Sequence, residues 1–222
     1  MANPAQLLLD IFNKWNEESS SAKISRGDDD LTEHMRAAQL IEQIGELLDR
    51  LDSTGGQTEV YRRYLPQWRR ILFCYPNSWG TIGSAAIPQT PRDHLSTLAF
   101  MLRDIITAPQ ADKVESLRSY LDVIIEELTQ DGSLPASVKD SAFTVINHMR
   151  CCIDDLEVLG DFAFEQSYER LLGALAIISL KSDDKSRWKR VFDNFVYPYA
   201  VNNLPSLSSA GNTIRELFSP GA

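Results

Sequence analysis

From Pro91 to Leu180 the apolar residues recur at steps of three and four, and this periodicity constrains the fold more than any other feature of the chain. Val114, Leu117, Tyr120, Leu121, Ile124, Ile125 and Leu128 form one such stripe. A helix with a stripe of this kind must bury it against a neighbour. The breaks between stripes are short. Asp131-Gly132 followed by Ser133-Leu134-Pro135 is a stop and a start, and Gly160-Asp161 is another. Connections this brief make adjacent helices antiparallel hairpins. The pattern predicts helices over about 91–107, 111–130, 135–159, 161–180 and 183–197, with Thr90 as a cap before Pro91 and Pro198 ending the last.

The N-terminal part reads the same way with longer interruptions. Asn3-Pro4 opens a helix to about Glu18, with Leu7, Leu8, Ile11, Phe12 and Trp15 on one face. A polar linker, 19–27, follows. Asp28, Asp29 and Asp30 then suit the positive end of a long helix to about Leu51, whose stripe is Leu31, Met35, Ala38, Ile41, Ile44, Leu48 and Leu51. Gly45 interrupts it, either admitting a close neighbour or simply weakening it. A third helix runs from about Thr58 to Phe73; Pro66 marks a kink or a new start, and Pro76 the end. Segment 77–90, with Gly80, Gly83 and Pro88, has no helical period and is a place to look for function.

No strand alternation and no internal repeat is present. The expected fold is all-α, a multi-helix bundle or an array of antiparallel helical hairpins. One helical domain is expected over 1–200, comprising an N-terminal portion 1–76, the irregular loop 77–90 and a regular array 91–200. A flexible tail over 201–222 should follow, with one apolar motif in Ile214, Leu217 and Phe218.

The 222 residues are 43% hydrophobic and 24% charged, enough to bury a sizeable core. A formal net charge of −9 opposes nucleic-acid binding over most of the surface. Cys74, Cys151 and Cys152 do not make a disulfide framework, so a reducing compartment is expected. No basic and apolar leader opens the chain, and the longest apolar run, Leu171–Leu180, is too short for a bilayer. These features predict a cytoplasmic protein with no membrane partner.

Leu134-Pro135-Ala136-Ser137-Val138-Lys139-Asp140, the downstream Gly160, Tyr168-Glu169-Arg170-Leu171-Leu172-Gly173 and the Trp79 region together resemble a pattern in small uncharacterised helical bacterial proteins. The resemblance spans about 31–178 and rests on helix-boundary residues. It implies a bacterial origin and an all-helical fold, and no activity.

Chemistry-bearing residues are sparse. His34, His94 and His148 are far apart and lack zinc spacing. His148 and Cys152 share a helical face, and Asp154 with Glu157 lies nearby, but no Glu-x-x-His of a carboxylate metal bundle occurs. Cys151 and Cys152 are mid-helix, where packing is the default. The Trp79-Gly80-Thr81-Ile82-Gly83-Ser84 loop lacks a phosphate-loop lysine and a preceding strand, so a structural turn is expected.

The sharpest local anomaly is Tyr61-Arg62-Arg63-Tyr64-Leu65-Pro66-Gln67-Trp68-Arg69-Arg70. Its aromatics share a stripe with Leu65, Ile71 and Leu72 and should face the core; Arg62, Arg63, Arg69 and Arg70 then project outward. Pairing with the chain's own acids is the first expectation for them, an acidic protein partner or self-association the second, and nucleic acid the third. Trp188, Phe192 and Phe195 form a further stripe, either core or an exposed anchor.

The expected function is non-catalytic protein–protein interaction in an adaptor, immunity or regulatory role. The candidate partner-binding residues are Arg62, Arg63, Arg69, Arg70, Trp79 and Trp188, and the partner is another protein or a second copy. No catalytic residue, metal or cofactor is implied. Two alternatives remain: a metal-dependent hydrolase or nuclease using Asp154, Glu157 and His148, and a nucleic-acid-binding regulator using the Arg/aromatic patch.

Overall fold

The computed structural model describes residues 3–27, 31–73, 78–103, 105–106, 109–204 and 207–217. Asp28–Asp30, Cys74, Pro76 and Phe218 lie outside the described residues. The protein is all-α: 80% is helical, and no strand occurs among the described residues. No helix in the described residues is long and apolar enough to cross a membrane. The chain divides into two compact units, 1–106 and 107–222.

Unit 1 contains α1 (Pro4–Trp15), the single turn α2 (Ala22–Ser25), α3 (Thr32–Ser53), α4 (Glu59–Phe73) and α5 (Gln89–Leu102). Asn3 caps α1 by accepting from the Gln6 N–H at 3.0 Å, and Pro4 occupies the first helical position. The α1 face bearing Leu8, Ile11, Phe12 and Trp15 packs against α3 and α5. The sequence reading places α5 in a regular array beginning at residue 91; the structure joins it to the N-terminal helices instead. The reason is complementary burial. Leu95, Leu98 and Leu102 lie in the core of unit 1, the buried Trp68 indole donates to the Pro91 carbonyl at 3.0 Å, and Asn3 Nδ2 donates to the Ala99 carbonyl at 2.9 Å.

One expectation within unit 1 changes and one alternative is removed. The buried face of α3 is His34, Ala37, Leu40, Ile41, Ile44, Leu47 and Leu48, so Leu31 and Met35 fall off the stripe and are exposed. Pro66 starts no new helix; α4 runs through it. A proline there removes one backbone bond from an otherwise continuous helix. Pro66→Ala on this exposed position is expected to stabilise unit 1 by about 1–2 kcal/mol, the helix gain partly offset by a less constrained unfolded chain. Thermal melting of the two proteins side by side checks this. Gly45 has nothing within 4 Å of where a Cβ would stand, so it admits no close neighbour.

Unit 2 contains α6 (Ala111–Gln130), α7 (Ala136–Asp154), α8 (Leu156–Lys181), α9 (Lys185–Val191), a π-helical turn (Phe192–Val196), α10 (Tyr197–Asn203) and α11 (Ser208–Leu217). The hairpin of α7 and α8 is the backbone of the unit, with α6 beside α7. The sequence-predicted stop at Gly160 lies inside α8, where Gly160 takes φ 84° and ψ 169° and breaks the helical path. That conformation is open to glycine alone. The flexible tail expected over 201–222 is corrected for its described residues: α10 reaches Asn203, and α11 packs on α8 and α10 through Leu207, Gly211 and Ile214. Apolar residues at 207 and 214 fit one face of a short helix, which burial then secures.

Asp131, 4% exposed, ties three elements of unit 2 together. Its Oδ2 accepts from the Trp188 indole at 2.8 Å and the Ser182 hydroxyl at 2.6 Å, while its Oδ1 accepts from the Ser133 hydroxyl at 2.6 Å and the Ser133 N–H at 2.9 Å. The end of α6, the end of α8 and the start of α9 therefore meet on one carboxylate. The π-helical turn is braced by the buried Tyr168 hydroxyl, which donates to the Val196 carbonyl at 2.7 Å.

Candidate functional site

Three of the four arginines of α4 are engaged with the chain's own acids. Arg62 reaches back to Asp49 at 2.6 Å and to Asp52, both on α3, and Arg69 reaches Glu42 on α3 at 2.9 Å. The Arg62–Asp49 and Arg69–Glu42 pairs lie one heptad apart on each helix, the register of an antiparallel pair. Arg63 pairs along its own helix with Glu59 at 3.7 Å, and Arg70 is exposed with no ion pair among the described residues. The Thr58 hydroxyl holds the Asp52 carboxyl below the usual carboxylate range, with desolvation opposing and Arg62 adding to the lowering. On the opposite side of α4, Tyr61, Leu65, Trp68 and Leu72 are buried. The basic run is thus a bracket between α3 and α4. Arg62 and Arg69 would have to exchange existing partners to bind an acidic surface.

Trp188 is fully buried, its indole spent on Asp131, so it is a core residue and no surface anchor. Trp79 is half-buried and lies at a different kind of place. Trp15, fully buried at the end of α1, donates from its indole to Glu33 at 2.7 Å. His34 stacks on Trp15 with ring centroids 4.5 Å apart, and Trp79 tilts onto His34 at 5.4 Å. The guanidinium of Arg26, 4% exposed, sits 5.5 Å from the Trp15 ring and donates to the carbonyls of Ile71 at 2.7 Å and Ala85 at 3.2 Å. Arg26 thus ties α2 to α4 and to the loop that follows Trp79.

That loop is stitched to α2 and the residues before it. Lys23 N–H donates to the Trp79 carbonyl at 2.9 Å, Ala22 N–H to the Ser84 hydroxyl at 2.8 Å, and Gly83 N–H to the Ser20 carbonyl at 2.8 Å. Gly83 has φ 82° and lies against the Glu18 carbonyl, 3.8 Å from where its Cβ would stand. Two flexible-looking segments, 20–25 and 78–84, therefore form one fixed corner. On it stand Ile24, 76% exposed, and Ile82, 80% exposed. Met35 follows His34 on the solvent side of α3, also exposed, and Leu31 holds a left-handed φ of 56° while partly exposed. A leucine there carries strain of about 1 kcal/mol. Sequence periodicity put Leu31 and Met35 on the buried stripe and missed Ile24 and Ile82. An isolated isoleucine in each of two polar segments was the signal available.

The remaining candidates do not converge. Asp154 pairs with Arg118, and His148 Nε2 lies 3.9 Å from Cys152 Sγ and 3.5 Å from Arg170 Nη1. Among the described residues no three of His, Cys, Asp and Glu come together to hold a metal ion. Burial pushes the Cys152 thiol up, the opposite of what a nucleophile needs, and Cys151 is exposed. His94 stacks on Tyr64 at 4.0 Å. A groove of about 890 Å³ in unit 1 is lined by Tyr61, His94, Thr97, Met101, Asp52 and Glu59 among others; both carboxylates are already paired with arginines of α4.

Compared with known proteins, the chain matches no family model, no curated protein and no solved structure.

Proposed function

We propose that this chain works by protein–protein interaction, as a cytoplasmic adaptor, immunity or regulatory protein, and that its contact surface is the Ile24–Trp79–Ile82 corner of unit 1. One observation carries the reading. Two of the most exposed large apolar side chains stand on segments that backbone hydrogen bonds fix to each other. A single exposed isoleucine is ordinary; two on segments that are bonded to each other, with the half-buried Trp79 on one of them, have the composition of an interface centre. Preorganisation also lowers the entropy lost on binding. Arg62, Arg63 and Arg69 contribute less to this reading than composition suggests, because they already pair with Asp49, Asp52, Glu59 and Glu42.

Ile24→Asp/Ile82→Asp should leave the thermal melt within about 0.5 kcal/mol of the parent, since neither side chain is buried. Affinity purification of both forms from the organism that encodes the chain, with quantitative mass spectrometry, tests the reading. A polypeptide, or a second copy, held near stoichiometry by the parent and reduced at least tenfold with the double variant supports it. Equal recovery with both forms, or nothing held by the parent, overturns it.

A further inference from the structure

We infer that α11 is a detachable strap, and that the groove it fills on α8 and α10 also receives the α11 of a second copy, so that two chains join by exchanging these helices. The groove lies in unit 2 and is independent of the unit 1 corner. The first ground is the strap's own sequence. Five of its ten residues, Ser208, Ser209, Gly211, Asn212 and Thr213, are weak helix formers, glycine the weakest. Isolated helices shorter than about 12 residues are marginal in water even when rich in alanine. The helix therefore depends on its docking against α8 and α10. A segment of this kind opens at a lower free-energy cost than the core helices beneath it.

The second ground is how closely the groove specifies its occupant. Leu207 and Ile214 are buried. At Gly211, between them, a Cβ would stand 3.6 Å from the Tyr197 ring and 3.8 Å from the Ala200 Cβ. The Tyr197 hydroxyl donates to Asn212 Oδ1 at 2.7 Å. Arg215 lies 4.6 Å from the centroid of the Tyr197 ring and pairs with Asp193 at 3.1 Å. Asp193, in the π-helical turn, also holds Lys189 at 2.5 Å. The groove thus asks for two apolar residues seven apart, a small one between them and a cation after the second. The α11 of another copy carries that same pattern, with charge complementary to Asp193. The third ground is the hinge. Only Leu204-Pro205-Ser206-Leu207 joins α10 to α11. Short hinges invite exchange between copies, and exchange remakes the same contacts across two chains.

The test uses two full-length variants, Asp193→Arg and Arg215→Glu, each altering a partly exposed side chain. Alone, each variant sets like charges at the end of its own strap. Mixed, the two restore opposite charges only between chains: the carboxylate placed at 215 in one meets the guanidinium placed at 193 in the other, and the native Arg215 and Asp193 meet in the second groove. Native mass spectrometry, with one variant isotope-labelled, is expected to show mixed dimers at least tenfold above either homodimer. Monomers only, with both variants folded by circular dichroism, overturn the inference. Homodimers as abundant as mixed dimers also overturn it, since the chains then join elsewhere. If a variant does not fold, the parent chain decides. Its dimer share should rise with concentration and fall at least fivefold when a peptide spanning Leu207–Leu217 is added in excess. A parent that stays monomeric at every concentration, or a dimer indifferent to the peptide, overturns the exchange.

Discussion

Asp131→Ala is expected to destabilise unit 2 by about 3–4 kcal/mol, because it strands buried donors that have nowhere else to turn. The Trp188 indole N–H and the Ser133 backbone N–H are fixed in place, and each buried donor without a partner costs about 1–3 kcal/mol. The serine hydroxyls can rotate and recover part of the loss. Asp131→Asn keeps one acceptor but turns an NH2 group toward donors, so it should be only partly better. Hydrogen exchange read separately over 107–222 is the appropriate measurement, since a chain of two units need not unfold in one step. Protection in that unit should fall while unit 1 amides keep theirs.

The same carboxylate gives a pH dependence with a definite sign. Burial pushes the Asp131 carboxyl up, but the hydrogen bonds from Ser133, Ser182 and Trp188 more than offset this and leave it well below the usual carboxylate range. A carboxyl lowered by folding contributes stability that is fully present above its unfolded value, about 3.9, and is lost as pH falls toward the folded value. Acid titration of the parent should therefore show protection in unit 2 declining from about pH 4 downward. Asp131→Ala should lose that part of the dependence.

Trp15→Ala is expected to cost unit 1 about 3–5 kcal/mol, the range for emptying a buried tryptophan site. The cavity is only part of it. Trp15 is the surface on which His34 stacks and over which Arg26 lies, and its indole bond helps orient Glu33. Removing it takes the support from under Trp79 and the 78–84 loop. Besides a lower unfolding midpoint in urea, exchange at the loop amides of Gly83 and Ser84 should speed up more than exchange in α4. Trp15→Phe preserves most of the packing and should cost under half as much. A uniform rise in exchange across unit 1 would show that the tryptophan supports the core without holding the corner.

Much of the helical framework is legible in the linear pattern because helix ends have local chemistry. Asn3-Pro4 and Gly160 carry their signals within a few residues, and the structure uses each of them. The buried face of α3 is harder to read. Leu31 and Met35 satisfy a helical period as well as His34 and Ala37 do, and only the positions of α1 and α4 select the latter set. The arginines of α4 are similar. Their outward direction follows from the aromatic stripe, but the pairing with Glu42, Asp49 and Asp52 depends on which helix lies alongside.

What the sequence by itself determined is the fold class and the helix-forming segments, because hydrophobic period, caps and breakers act over one or two turns. What only the tertiary structure decided is membership and exposure. Helix α5 joins the N-terminal unit because its leucines and the Trp68 and Asn3 hydrogen bonds fit there, and Trp188 is core because Asp131 waits for its indole. Ile24 and Ile82, 58 residues apart in the chain, stand on segments that are brought together only because Lys23 and Gly83 donate their N–H groups across the gap. Contacts between distant segments are absent from any local pattern, and in this protein they separate a tryptophan in the core from apolar side chains on the surface.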